Sequence, residues 1–442
     1  MEYEYGIIPP KPNQYTTITR DIFSDDKFSI IKVDGRNHWR NGAQVYLDDT
    51  TLEVALPECR GARAVVAYDE ATSLMLYLLG TERNTHIFKN NIEVRGNSFG
   101  CHENYFVSRR PLELRLGPTT YEKLLNYIAH NIIPFLVTRQ IFTGSGFVKS
   151  PEEYLMSQRT TVINNLISHG TLGEARAIFH IRHEPLSADG LRIHLILGDS
   201  NMSEFTTYLK LGTTAIVLRM IEAGYLREKF YLKDPVAALH TINECGPKTG
   251  IPLDKKYDSH SHERSIRATD IQRWYLEKAR AFFDDNKDLY GSEVEDILKK
   301  WEFVLERMER DLMSLDQYID WVIKRSLIDA CARRKGRKLN LQEMKQIDLQ
   351  YHLLHPSDGL YFCVRDDKKL ARVCSEDEIK RAVKEPPQDT RAFGRTRLIK
   401  EIEKKGWTIT HAHWQSIEYM VDTCQTTIEL PDPFETYTNR EL

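Results

Sequence analysis

Residues 87–106, IFKNNIEVRGNSFGCHENYF, constrain the fold more than any other stretch of this chain. An apolar run leads into Asn90-Asn91, a Gly/Asn/Ser turn follows, and the segment closes on His102-Glu103-Asn104-Tyr105. Ordinary core strands do not gather amides, imidazoles and carboxylates in this way. As strand–turn–strand, the pattern puts Asn91, His102 and Asn104 near strand ends, facing a shared cleft. A buried hydrogen-bond network that only fixes a hairpin would use the same residue types. The residues alone leave both readings open.

Period-two alternation decides which side chains share a face. In the first strand Glu2 and Glu4 fall on one side, Tyr3 and Tyr5 on the other. Gln44, Tyr46 and Asp48 share a face, with Val45 and Leu47 opposite. Arg192 and His194 alternate with apolar residues and lead into Gly198-Asp199-Ser200-Asn201. If these strands are neighbours, the product is a carboxylate-rich concave face over an apolar back. A half-solvated antiparallel sheet is the plainer alternative. Hard oxygen donors suit Mg²⁺, and crowded carboxylates raise each other's pKa, so cationic partners are expected. Arg139, Arg159, Arg182 and Arg192 offer planar forks for phosphate or carboxylate, although each taken singly reads better as a structural ion-pair partner. Together the pattern points to a sheet cradle for Mg-ATP.

At 442 residues, one large and one smaller domain are expected, with the junction near residue 365: 1–365 and 366–442. Lys+Arg 61 nearly balances Asp+Glu 64, which argues against a nucleic-acid partner. No apolar run approaches a membrane span. The seven cysteines are scattered and include no C-x-x-C, and the acidic, aromatic start is unlike a secretory signal; both point to reduced thiols in the cytoplasm. Short strands are expected at Glu2–Ile7, Gln44–Leu47, Ala64–Ala67, Ile87–Asn90, Tyr105–Ser108 and Arg192–Leu197. Helices are expected at Glu70–Leu79, Tyr121–Leu136, Glu204–Glu222, Ile271–Phe283, Ser292–Tyr318 and Asp320–Arg333. A Pro-rich basic segment, EPPQDTRAFGRTR, precedes a short α+β tail.

GNSFGCHENY, PFLVTRQIFTGSG, LMSQR, RIHLILGDSNMSE, DIQRWY, IDWVIKR and EPPQDTRA, in this order, resemble the Pup–protein ligase family, whose sibling is the depupylase/deamidase. The resemblance runs from Glu2 to the C-terminal tail. It implies an α+β fold: a large glutamine synthetase-like domain with a curved antiparallel sheet cradle and helices, plus a small C-terminal domain. It also implies that ATP phosphorylates the C-terminal glutamate of a Pup-like modifier, and that a target-protein lysine then attacks to leave an isopeptide bond. Carried over by position, Glu2, Tyr46 and Glu53 stand where the family binds Mg²⁺, and Asp48 stands where it places the catalytic base. Trp414, in HAHW, stands where a tryptophan packs on the nucleotide. Gln44 stands near ATP, where the family uses an arginine. Glu4, His102, Arg192, His194 and Asn201 are further candidates from the sheet argument.

The chain departs from the family pattern at Gln44, at Leu56 (in place of a nucleotide-contacting threonine) and in DTTLEVALPEC, which is one residue shorter and lacks a His-Pro pair. Met1 directly precedes Glu2, so either a start further upstream or an N-terminal amine beside the metal site is expected. The short stretch between Gly6 and Asn41 lacks the extra loop of the depupylase, which favours a ligase. The alternatives are the depupylase/deamidase activity on a modifier ending in Glu or Gln, and a non-catalytic homologue.

Overall fold

The computed structural model describes residues 1–442 apart from 94–95, 171–172, 227–229, 255–264, 287–290 and 441. Val94 and Arg95 of the opening segment therefore lie outside the described residues. Seven strands come first: β1 (Glu2–Ile8), β2 (Ser29–Val33), β3 (Arg36–Trp39), β4 (Gln44–Asp48), β5 (Thr51–Ala55), β6 (His86–Phe88) and β7 (Cys101–Ser108). A two-stranded hairpin, β8 (Phe147–Val148) with β9 (Tyr154–Leu155), precedes β10 (Asn165–Ser168), β11 (Ala177–His180) and β12 (Gly190–Leu195). One sheet takes the order β10-β11-β12-β7-β1-β5-β4-β3-β2, with β6 also on β1. Every pairing in it is antiparallel except β10 with β11.

The hairpin expected over 87–106 is confined to its turn, where Ile92 bridges Ser98 and Phe99 N donates to Asn91 O at 2.8 Å, and its flanking strands β6 and β7 do not pair with each other. Instead β7 pairs with the start of β1 through Glu2 and Tyr3, and β6 pairs with its end through Gly6, Ile7 and Ile8. The two halves thus share one edge of β1, and β1 becomes a central strand.

Helices α1 (Tyr15–Phe23), α2 (Ala62–Thr81), α3 (Arg109–Leu116), α4 (Tyr121–Thr143) and α5 (Glu204–Glu222) follow in chain order, with α2, α4 and α5 packed behind the sheet. The strand expected at Ala64–Ala67 is instead the first turn and a half of α2. Val66, Ala67, Ala71, Met75 and Leu79 are buried at helical spacing, and that longer period prevails over the local alternation. Almost all of α4 is buried, as a helix clamped between a sheet and other helices must be.

The charged helical region comprises α6 (Pro235–Cys245), α7 (Ala268–Asp284), α8 (Ser292–Arg310), α9 (Asp320–Lys335), α10 (Leu341–Tyr351), α11 (Leu360–Lys368) and α12 (Glu376–Lys384). The single helix expected over Ser292–Tyr318 ends at Arg310. There Asp311 turns extended and its side chain caps a short 3₁₀ turn at Met313 N.

The junction expected near 365 falls inside the first core. Leu370, Val373, Cys374, Ile379 and Ala382 still belong to it. A separate core begins at Leu398 and unites α13 (Arg391–Lys404) with a three-stranded sheet, β15 (Thr408–Ala412), β16 (Ser416–Val421) and β17 (Cys424–Glu429). A small pair, β13 (Gly250–Pro252) with β14 (Ser265–Arg267), completes the strands. Ile30, Ile31 and Val33 of β2 pack on the second core, so the sheet edge is covered by the C-terminal unit. All seven cysteines are free. No helix among the described residues is long and apolar enough to cross a membrane.

Candidate active site

Strand register builds the cradle. Glu4 lies opposite Glu53, Glu53 opposite Tyr46, and Tyr46 opposite Arg36, giving one row across β1, β5, β4 and β3. The adjacent row runs from Glu2 through Ala55 and Gln44 to His38, and on the other side Glu2 faces His102 of β7. Beyond it, His194 of β12 lies opposite Asn104. The reverse face carries Tyr3, Tyr5, Val45, Leu52, Val54 and Ile193, all fully buried. The polar front over an apolar back, expected from alternation alone, is therefore present.

Two groups of donor atoms converge on this front. The carboxylates of Glu2 and Glu53 and the His102 ring lie within 4.8 Å of one another, and so do the carboxylates of Glu4, Asp48 and Glu53. Glu53 belongs to both. Burial, together with the charge of Glu2, pushes its carboxyl up to about 7. Burial also acts on Glu2, but the hydrogen bond with His102 and the nearby charges of Arg192 and the histidines outweigh it and hold that carboxyl well below its usual range. Tyr46 hydrogen-bonds Glu53, and burial beside Glu2 and Glu53 pushes its phenol far up, so it stays protonated. An ionised Glu2 next to a reluctant Glu53 is a donor set short of positive charge. The mostly oxygen donors of the two groups, Glu2, Glu53 and His102 and then Glu4, Asp48 and Glu53, are of the kind that suits a hard divalent cation. Asp48 stands at the exposed rim, at the end of β4.

Local backbone serves this geometry. Glu4 accepts a hydrogen bond from Gly100 N at 2.6 Å in the gap between β6 and β7. A Cβ at Gly100 would lie 2.6 Å from His102 Nε2 and 3.2 Å from Glu4 Oε1, so only glycine lets both side chains occupy their places. Arg192 binds Asn104 Oδ1 at 2.7 Å and reaches Glu2 at 3.5 Å. Burial, with His102 and Arg192 nearby, pushes His194 well below its ordinary value, so it faces the cradle neutral.

Several expected residues lie elsewhere. Asn91 does not face the cleft: it is fully buried, gives its amide to Phe99 O and Ser200 Oγ and accepts from Ser200 N. Asn201 is likewise buried behind the sheet and donates to Thr143 O, so it is not a cradle residue. Both belong to a knot around Asp199, which accepts from Ser145 N and Oγ, Ser157 Oγ, Gln158 N and Arg159 N. The GSG, LMSQR and GDSN segments are thus parts of one structural device. Arg139 forks onto Glu103 at 2.5 and 2.8 Å in the core. Arg159 is tied to Ile196 O and the Ser98–Phe99 loop, and Arg182 pairs with Glu184. Of the four candidate guanidiniums, only Arg192 enters the cradle.

Trp414 is half-buried and lines a cleft of about 170 Å³ together with Glu2, Leu56, Asn104, Phe106 and Arg192. Sequence reasoning missed what aims it. Arg391 and Arg395 of α13 both bind Glu58, at 2.5 and 2.9 Å, and hold its carboxyl down at about 2 against the effect of burial. Arg395 also donates to Trp414 O at 3.0 Å and lies 4.8 Å from its ring. The DTRAFGR segment is therefore a staple between the two cores. Leu56 N is already bonded to Met1 O at 2.9 Å, so its backbone donor is occupied. Gln44 is buried and accepts from Arg36 at 2.8 Å. Arg36 was overlooked, although the alternation Arg36-Asn37-His38-Trp39 just before Gln44 would have singled it out.

A family model described as "Pup-ligase protein" matches residues 6–418. A Pup–protein ligase from Nocardioides sp. is 37% identical over 420 residues, covering 91% of this chain and 88% of the relative. A depupylase from Acidothermus cellulolyticus is 34% identical over 397 residues, covering 85% of this chain and 74% of the relative. Among solved structures, the ligase PafA in complex with the prokaryotic ubiquitin-like protein Pup superimposes with a TM-score of 0.84 at 28% identity, covering 98% of this chain and 89% of that one. PafA in complex with ADP gives 0.78 at 27% identity, with 97% and 92% covered.

Proposed function

Because this chain belongs to the Pup-ligase family, we propose that it is an ATP-dependent ligase joining the C-terminal glutamate of a Pup-like modifier to lysines of target proteins, with the β1-β5-β4 face as its Mg-ATP site. The observation that carries the reading is the convergence of Glu2, Glu4, Tyr46, Asp48 and Glu53 on one face of the sheet. The ADP-bound relative supports a nucleotide, and the donor chemistry supports magnesium. Glu2, Tyr46 and Glu53 would hold the ion, which when bound neutralises and orients the phosphates. Trp414, which lines the cleft beside Glu2, would be the residue that packs on the nucleotide base.

Phosphoryl transfer to the modifier's terminal carboxylate activates it as an acyl phosphate, and the lysine amine then displaces phosphate. A free lysine has a pKa of about 10.4 and arrives protonated, so a base must take its proton. Asp48, exposed at the rim and beside Glu4 and Glu53, is the group a protein-borne lysine reaches first. The seven free thiols favour the cytoplasm.

The test is conjugation of Pup to a lysine-bearing protein in the presence of ATP and Mg²⁺. Asp48→Asn should abolish it while leaving ATP affinity within about threefold, because the base acts on lysine and not on nucleotide. Equal conjugation by mutant and wild type would remove Asp48 from this role. The likeness to a depupylase favours a second reading, hydrolysis of the same isopeptide bond. Release of Pup from a preformed conjugate, with no conjugate made, would select it.

A further inference from the structure

Arg36 is the one guanidinium of the Glu4–Glu53–Tyr46–Arg36 row, and no described carboxylate forms an ion pair with it. Its position explains why. Tyr46 stands between it and Glu53, and the guanidinium carbon lies 5.2 Å from the Tyr46 ring centroid. The phenol face steadies the charge without neutralising it. One of the five N–H donors, on Nη1, is given to Gln44 Oε1 at 2.8 Å. Gln44 is itself fully buried, and among the described residues its Nε2 has no hydrogen-bond partner. A buried amide donor with no acceptor is costly, and here it sits beside a guanidinium with donors to spare, on the front that carries the acidic donor sets. Donors of this kind, left over in one place, match an oxygen-rich anion.

The register makes the geometry specific. Gln44 lies opposite His38, and Tyr46 lies opposite Arg36, so Arg36 is the diagonal same-face neighbour of Gln44 one strand over. A long side chain reaches across that diagonal, as the Arg36–Gln44 hydrogen bond shows. We propose that Arg36, with Gln44 Nε2 beside it, binds the phosphate oxygens of the nucleoside triphosphate, supplying from β3 the positive charge that position 44 of β4 does not carry. This rests on reading the cradle as the Mg-ATP site. It assigns β3 a part in substrate binding, and it makes the departure at position 44 a relocation of charge between strands and not a loss of it.

The experiment measures ATP binding in the presence of Mg²⁺ by calorimetry on the full chain, with thermal melting of each variant alongside. Arg36→Gln should weaken ATP about tenfold to a hundredfold, the loss of one or two charge-assisted hydrogen bonds. Arg36→Lys should recover part of it, since the charge stays while the fork is lost. The double variant Arg36→Gln/Gln44→Arg should return affinity to within about threefold of wild type, because the guanidinium is then supplied from the neighbouring strand. A merely structural role would lower the melting temperature of Arg36→Gln and would not be rescued by an arginine at 44. Wild-type affinity in Arg36→Gln, or a double variant as weak as the single one, overturns the assignment. Glu2→Ala separates this from failure of the cradle reading. If Glu2→Ala weakens Mg-ATP and Arg36→Gln does not, only the Arg36 assignment falls; if neither does, the cradle is not the nucleotide site.

Discussion

Glu58→Gln tests the joint between the two cores. The Glu58 carboxylate accepts from Arg391 Nε at 2.5 Å and from Arg395 Nη1 and Nη2 at 2.9 Å each, and both arginines are nearly fully buried. The neutral amide keeps the shape but leaves two buried guanidiniums without a counter-charge. Breaking such a cluster costs about 3–5 kcal/mol. The acid–base properties give a similar size: a carboxyl moved from 4.5 to about 2 contributes roughly 3 kcal/mol at neutral pH. Because the folded value is depressed, this stability is fully present above pH 4.5 and is lost as pH falls towards 2. The variant has no carboxyl to protonate, so the gap between wild type and Glu58→Gln should narrow by about 0.8 kcal/mol between pH 7 and pH 4. Urea unfolding at the two pH values reads the gap. Protease sensitivity of residues 391–437 should rise in the variant, since α13 and the segment carrying Trp414 lose their anchor. Equal stability at pH 7, or a gap that does not change with pH, would refute the role assigned to Glu58.

Three further outcomes follow from the same geometry. Glu53 has a folded pKa raised to about 7, so its charge costs stability as pH rises from 4.5 through 7; MgCl₂ should therefore raise the melting temperature more at pH 8 than at pH 6, where the ion must displace a proton. Glu53→Gln should melt higher than wild type without Mg²⁺ at pH 8 and lose most of the Mg²⁺-induced shift. Glu103→Gln strands the core guanidinium of Arg139 and should cost about 3–5 kcal/mol in urea unfolding, with a wild-type midpoint counting against a core role for the pair.

How much could be read in advance depended on range. Alternation fixed the faces of β1, β4 and β12, because side-chain direction in a strand is a local, period-two property. It therefore grouped Glu2 with Glu4, and Gln44 and Tyr46 with Asp48, before any neighbour was known. Helical spacing similarly revealed Glu204–Glu222 to the residue. It failed at Ala64–Ala67, where four residues are too few to separate the two periods, and at Ser292–Tyr318, where Asp311 caps the next turn.

What the chain could not declare locally was which polar residue faces which side of the sheet once strands are assembled. Asn91, Asn201, Arg139 and Arg159 have the chemistry of a binding site, yet each is spent on the Asp199 knot, the Ser98–Phe99 loop or the Glu103 pair. Buried hydrogen-bond networks and ligand sites draw on the same side chains, and only long-range pairing distinguishes them. The Glu58 staple joins residues more than 300 positions apart, and the Arg36–Gln44 contact depends on the register of β3 against β4. Sequence settled the chemical identity of the donors and their local orientation; the tertiary fold decided which of them meet, because hydrogen bonds and ion pairs depend on distance in space and not along the chain.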